Sequence, residues 1–324
     1  MLLPKGLLRN RKLIFLAKVL VSGGIILFLF QRIDLRQLTG KLLSLPWSYL
    51  WGCFFLFMLC EILHSLRWKI LLNCRNINVS TLKLLYLNFV GLFFNLSFPT
   101  SLGGDVVRIY QMSIHANNTS EAVTSVVVDR GVGFFTLLAV APIMILFSAG
   151  QTHTSALFAP AFVLLLVVVA AIFILFRLKR PVQVWCSARG GSICQKIIDY
   201  YDVMDGYRGH KRTILLAMML SLGMIFLVIM MTYLISQGLR LHVPLAYFII
   251  FVPIIFLITM IPVSIHGLGL REGAFVFFFA RAGLAAPEAL SISLISYVVT
   301  LVFGLVGGLV YMLIGSIRLD RTAA

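Results

Sequence analysis

Apolar residues come in long blocks along this chain, separated by short polar or basic stretches. The blocks are 13–30, 46–66, 81–98, 122–149, 156–176, 213–236, 243–262, 273–284 and 287–316. An α-helix needs about 20 apolar residues to cross a bilayer core, and membrane β-strands alternate apolar with polar positions. These blocks do not alternate, so the pattern predicts an all-α polytopic membrane protein. Block 13–30 reads as a span rather than a signal peptide, because "QRIDLRQLTGK" follows it and no small-residue cleavage site does.

Two blocks end in polar interruptions where a membrane helix should still be hydrophobic. The first is "FPTSLGGDVVR", Phe98 to Arg108, and the second is "IPVSIHGLGLREG", Ile261 to Gly273. Each has an apolar residue, Pro, one residue, Ser, an apolar residue and then Gly, with one extra residue in the second. A carboxylate and an arginine follow, and each acid is expected to pair with its arginine: Asp105 with Arg108, and Glu272 with the adjacent Arg271.

Basic residues orient the chain. Lys5, Arg9, Arg11 and Lys12 precede the first block; Arg67, Lys69, Arg75 and Lys83 follow the second; eight more crowd 177–212; Arg318 and Arg321 sit in the tail. All are expected in the cytoplasm, with both termini, and the uncharged loop 150–155 outside. The loop 31–45, with Arg32, Arg36 and Lys41, fits less well. On this orientation 81–113 enters and leaves from the cytoplasm, whereas 243–262 and 273–284 enter and leave from outside. The expected fold is therefore about six full spans plus two re-entrant broken-helix hairpins related as an inverted-topology repeat. Residues 1–324 form a single transmembrane domain, with 46–149 and 213–316 as the inverted halves and 177–212 as a basic cytoplasmic loop.

Composition sharpens this picture. Of 324 residues 60% are hydrophobic and 12% charged, with a mean hydropathy of +1.02, which excludes an ordinary soluble domain. The net charge of +16 is explained by cytoplasmic loops facing anionic headgroups and does not call for nucleic acid. The five cysteines show no metal-ligand spacing, and no disulfide is expected.

A non-helical turn at membrane depth must face protein or a wet cavity, since lipid cannot satisfy its backbone. Gly103, Gly104, Gly267 and Gly269 permit such turns, and Pro99 and Pro262 favour the end of each incoming helix. The returning helices would present N-terminal N–H groups, which suit a phosphate or carboxylate. Asp105 could equally be a helix N-cap and Glu272 a first-turn acid. Further candidates lie in other blocks. "VVVDRGVGF" puts Asp129 and Arg130 roughly 12 Å into 122–149, on sides of the helix that need different partners. That helix is expected to start with a capping box from Asn118 to Glu121. Glu61 lies deep in 46–66 with His64 three residues on, as a proton relay or a structural ion pair. "HSLRWKILL" puts Arg67, Trp68 and Lys69 at the cytoplasmic interface, as anchors or as contacts to lipid phosphate. His266 in the second break has no metal-ligand companions, and no Walker A, Rossmann or Gly-x-Ser-x-Gly element is found.

"RWKILL", "FFNLSFPTSLGGDVVRIYQM", "AVTSVVVDRGVGF" and "IPVSIHGLGLREGAF" occur in this order. Together they resemble the transmembrane flippase-like family of lysylphosphatidylglycerol synthases, from about Arg67 to Tyr311. The resemblance implies lipid translocation or lipid-linked work at the bilayer, with Asp105, Arg108, Asp129, Arg130, Arg271 and Glu272 lining a substrate cavity. Bifunctional members continue into an aminoacyl-transferase domain; this chain stops at Ala324 and is expected to be a stand-alone member that does not charge lipids with an amino acid.

The expected function is a lipid flippase that moves a phospholipid or polyprenyl-phosphate headgroup through a central polar cavity of a cell inner or plasma membrane. The substrate-binding set is Ser101, Gly103, Gly104, Asp105, Arg108, Asp129, Arg130, Ser264, His266, Gly267, Arg271 and Glu272, with Glu61 and Arg67 as secondary candidates. No catalytic residue, metal or cofactor is expected. The partners are membrane lipids with anionic headgroups and no nucleic acid, with self-association left open. The rival readings are a membrane-embedded lipid transferase or hydrolase and an accessory scaffold of a lipid or cell-envelope pathway.

Overall fold

The computed structural model describes residues 45–97, 103–116, 118–148, 209–260 and 267–322, together with 40, 166, 206 and 207. Among the described residues there are eight long helices and no strand. They are α1 (Trp47–Asn73), α2 (Thr81–Ser97), α3 (Gly103–Ala116), α4 (Thr119–Ser148), α5 (Lys211–Gly238), α6 (Leu245–Thr259), α7 (Leu270–Ala280) and α8 (Ala286–Thr322). Blocks 13–30 and 156–176 lie outside the described residues, apart from residue 166.

Four helices contain stretches long and apolar enough to cross a membrane: Trp47–Asn73, Thr119–Val140, Lys211–Gly238 and Ala286–Leu313. Their outward faces are greasy at helical spacing. Trp47, Trp51, Phe55 and Met58 make such a stripe on α1, and Val298, Val302, Leu305, Leu309 and Met312 make one on α8. Exposed apolar stripes of this kind fit a hydrocarbon solvent and would aggregate in water. The chain is an all-α membrane protein.

The other four helices are too short to cross alone. At about 1.5 Å per residue, α2 with 17 residues, α3 with 14, α6 with 15 and α7 with 11 fall short of the ~30 Å core. They form two antiparallel hairpins. In the first, Lys83 Nζ meets His115 Nδ1 at 2.9 Å at the open end, and the Gly104 N–H donates to Asn95 Oδ1 at 2.7 Å at the turn. A side chain on Gly104 would overlap the Gly91 carbonyl oxygen, so this close approach requires glycine. In the second hairpin Phe248 packs on Phe279 and Phe251 on Phe278, with ring centroids 4.8 and 5.5 Å apart. Its turn returns at Gly267 and Gly269, whose φ values of 73° and 79° suit residues without a Cβ. The interrupted helices predicted at both breaks are therefore present as hairpins.

Three readings need correction. Helix α1 does not stop at 66; it continues to Asn73 and carries Arg67, Trp68 and Lys69 on helical backbone. Arg67 and Trp68 are buried, at 5% and 0% exposure, and so are not interfacial anchors. Helix α4 has only half of its expected capping box. Asn118 Oδ1 accepts from the N–H groups of Ser120 and Glu121, at 3.0 and 3.2 Å. The Glu121 carboxylate binds the Arg75 guanidinium in two-pronged fashion, at 2.6 and 3.2 Å. That hydrogen bond raises the Arg75 pKa above its ordinary value.

The described residues divide between two compact units. One draws on Met1–Met58, Phe89–Gly104 and Leu227–Ala324, and the other on Leu59–Asn88 and Asp105–Phe226. In the first unit α8 approaches α2 through glycines: a side chain on Gly307 would overlap the Phe89 carbonyl oxygen, and Gly308 faces the Phe93 ring. Small residues let membrane helices come this close, where dispersion and not hydrophobicity provides the attraction. In the second unit Trp68, Leu72, Leu84, Leu87, Met112 and Val126 form an apolar core cluster.

Candidate functional site

The second unit holds a buried cluster of charges. Asp129, with 0% exposure, is its centre. Arg67 Nε donates to Asp129 Oδ1 at 2.8 Å, Arg108 Nη2 donates to Oδ2 at 3.2 Å, and His64 Nε2 lies 3.2 Å from the same oxygen. Arg67 also donates through Nη1 to Ser221 Oγ at 2.9 Å. Gly133 leaves room for this arginine, because a Cβ there would stand 2.8 Å from Arg67 Nη1. The Arg108 guanidinium stacks on the Trp68 ring, 4.0 Å from its centroid.

One helical step along, the charges reverse. Arg130 Nε forms a close ion pair with Asp105 Oδ2, and Arg108 Nη1 stands 3.6 Å from Asp105 Oδ1. The divergence of adjacent residues on α4 is thus realised: Asp129 faces Arg67, Arg108 and His64, while Arg130 faces Asp105. The partner predicted for Asp105 was Arg108 alone; Arg130 is the closer one. Asp105 is a first-turn acid of α3, engaged in ion pairs. Glu61 continues the row on α1, with its Oε2 3.4 Å from His64 Nδ1.

Three arginines and three carboxylates therefore balance in this cluster, drawn from α1, α3 and α4. Unpaired charges would be very costly in so apolar a setting, and mutual pairing is what makes them tolerable. Arg130 alone keeps substantial exposure, 44% of its side chain against 5–6% for Arg108 and Arg67. Two buried polar atoms of the cluster have no hydrogen-bond partner among the described residues: Arg108 Nε and Glu61 Oε2.

The first unit holds a smaller cluster at the second break. Arg271 Nη2 binds Glu272 Oε1 at 2.5 Å, and Arg271 Nε reaches Ser293 Oγ at 3.2 Å. The Arg271 guanidinium lies 4.7 Å from the Tyr297 ring centroid. Glu272 Oε2 accepts from the Gly269 N–H at 2.7 Å, so this acid caps its own helix. The partner predicted for Glu272 is the one found.

Both returning helices expose less than their sequences suggested. The N–H of Gly104 is held by Asn95 and that of Gly269 by Glu272. Of the predicted residues, Asp105, Arg108, Asp129 and Arg130 meet in the cluster of the second unit, Gly103 and Gly104 begin α3, and Gly267, Arg271 and Glu272 lie together at the second break. Ser101, Ser264 and His266 lie outside the described residues. Asn95, Ser221, Ser293 and Tyr297 were missed. Asn95 is the one that left a trace, as one of two amides in the apolar block 81–98, nine residues before Gly104. Among the described residues no three His, Cys, Asp or Glu side chains gather as a metal site.

A UPF0104 membrane protein of Methanothermobacter thermautotrophicus is 26% identical to this chain over 281 residues, covering 77% of this chain and 80% of the relative. No solved structure matches the chain. The family model for the lysylphosphatidylglycerol synthase TM region matches residues 15–308, which include both hairpins and both charge clusters. The chain belongs to the lysylphosphatidylglycerol synthase transmembrane-region family.

Proposed function

We propose that this protein translocates a lipid bearing an anionic, phosphate-containing headgroup between the leaflets of a cell membrane. The observation that carries this reading is the balanced Glu61–His64–Arg67–Asp105–Arg108–Asp129–Arg130 cluster, buried among apolar helices. Ionisable groups inside a membrane domain mark a substrate or ion path by default. A phosphate could exchange with Asp105 or Asp129 for the arginines without stripping them of a counter-charge. Arg130, the accessible member, would meet the headgroup first, and Arg108 with its unpartnered Nε would receive it next. Arg271, backed by Tyr297 and tied to Glu272, offers a second phosphate contact. On the basic flanks both termini are assigned to the cytoplasm and the membrane to a cell inner or plasma membrane.

The test is translocation of a fluorescent phosphatidylglycerol in vesicles containing the purified protein. Arg108→Gln is expected to slow it about tenfold, the loss of one charge-assisted hydrogen bond. Unchanged translocation in a folded Asp105→Asn, Arg271→Ala, Glu272→Gln triple variant would sink the reading. A chemically altered lipid found by mass spectrometry would replace it with an enzyme.

A further inference from the structure

His64 sits between two carboxylates. Its Nε2 is 3.2 Å from Asp129 Oδ2 and its Nδ1 is 3.4 Å from Glu61 Oε2. Asp129, gripped by Arg67 and Arg108, is an acceptor only, so the hydrogen of that contact resides on His64 Nε2. A neutral imidazole has one N–H, which leaves a lone pair on Nδ1. That lone pair lies on the nitrogen 3.4 Å from Glu61 Oε2, itself a buried acceptor with no hydrogen-bond partner among the described residues. A buried carboxylate oxygen and the nitrogen of a partly exposed imidazole thus stand 3.4 Å apart with no hydrogen between them. One proton resolves the conflict: it turns the pair into a donor facing an acceptor.

We propose that Glu61 Oε2 and His64 Nδ1 form a one-proton binding site, and that its proton accompanies the anionic headgroup. The second clause rests on the translocation reading; the first does not. The nearest charged groups come from three helices, with the Asp105–Arg130 pair beyond them. Glu61 and Arg67 share helix α1 with His64, Asp129 comes from α4, and Arg108 reaches the same carboxylate from α3. Helix α5 contributes Ser221, with its titratable residues Lys211, Arg212 and Tyr233 nine or more positions away in sequence. Helix α2 contributes Asn88, which donates to Ser65, while its Lys83 is engaged with His115. With a neutral His64 the cluster's arginines and carboxylates cancel, so the added proton leaves one net positive charge. An anion entering at Arg108 or Arg130 then restores neutrality. Proton and anion favour each other by the same factor, as linkage requires. Imidazole is suited to the task because its proton exchanges in the physiological range.

The experiment has two arms on the full chain. In the first, protein with isotope-labelled histidine is studied in nanodiscs by NMR, and loss of signals in His64→Gln identifies His64 among the six histidines. The His64 ring is expected to pass from one to two protonated nitrogens as pH falls from about 8 to about 5. Glu61→Gln, which keeps the packing and offers an amide N–H to Nδ1, is expected to change how the His64 signals respond to acid. A His64 signal that does not change over this range, or changes identically in Glu61→Gln, overturns the proton site. Glu61→Asp supplies the same comparison if the glutamine variant does not fold. In the second arm dihexanoylphosphatidylglycerol is added to weakly buffered protein and proton uptake is read with a dye. Up to one proton per bound lipid is expected in the native protein and none in His64→Gln. Binding without uptake overturns the coupling. No binding, with the first arm positive, removes the lipid reading and leaves the proton site standing.

Discussion

The two helix breaks carry the same residue types but use them differently. At the first, Asp105 and Arg108 join a network reaching Arg130 and Asp129 on α4 and, through Asp129, His64 and Arg67 on α1. At the second, Arg271 and Glu272 bind each other and the local backbone, with Ser293 and Tyr297 of α8 as neutral support. The first is a distributed network whose members were placed by tertiary folding. The second is chiefly a local motif. Removing the shared Asp129 from the network strands several buried partners, whereas removing Glu272 from the local pair strands one.

That contrast ranks four substitutions. Asp129→Ala leaves Arg67 and Arg108 without their shared carboxylate, a loss of about 3–5 kcal/mol, seen as a collapse of thermal stability in detergent. Gly104→Ala comes next. Its methyl meets the Gly91 backbone rather than a flexible side chain, so the hairpin must part, at about 1–3 kcal/mol. Glu272→Ala removes a helix cap and one partner of Arg271, about 1–2 kcal/mol, and Glu272→Gln, which retains an acceptor for Gly269, costs less. Arg130→Ala is the mildest, below about 1 kcal/mol, because its half-exposed side chain is screened. Equal losses for Asp129→Ala and Glu272→Ala would erase the distinction between the two breaks. A double-mutant cycle sharpens it: Arg67 and Asp129 should couple more strongly than Arg130 and Asp105.

Local periodicity made much of this legible. Apolar blocks located α1, α2, α4, α5, α6, α7 and α8 to within a few residues at most ends, because hydrophobic length is a property of contiguous sequence. Helix α3 was too polar to count as a span and was still recovered, since orientation demanded a return on the same side. The extension of α1 past residue 66 was hidden, because a hydropathy reading stops where Arg67 begins and cannot know that Asp129 and Ser221 await that arginine. For the same reason Arg67 and Trp68 looked interfacial: their burial is decided by residues of α2, α3, α4 and α5 that are remote from them in sequence. Arg271 and Glu272 were paired correctly since the pair is a neighbour pair. Asp105 was assigned to Arg108 by proximity along the helix, and the closer partner came from α4. Sequence distance predicts contacts well only where the contact is local.

Asn95 has a consequence for the N-terminal end of the third helix. Its carboxamide already occupies the seat at the start of α3 that an anion would want, 2.7 Å from the Gly104 amide. Any anion at that amide would have to displace a side chain that already satisfies it. The first hairpin thus carries its own placeholder, and the helix end is closed by the chain itself.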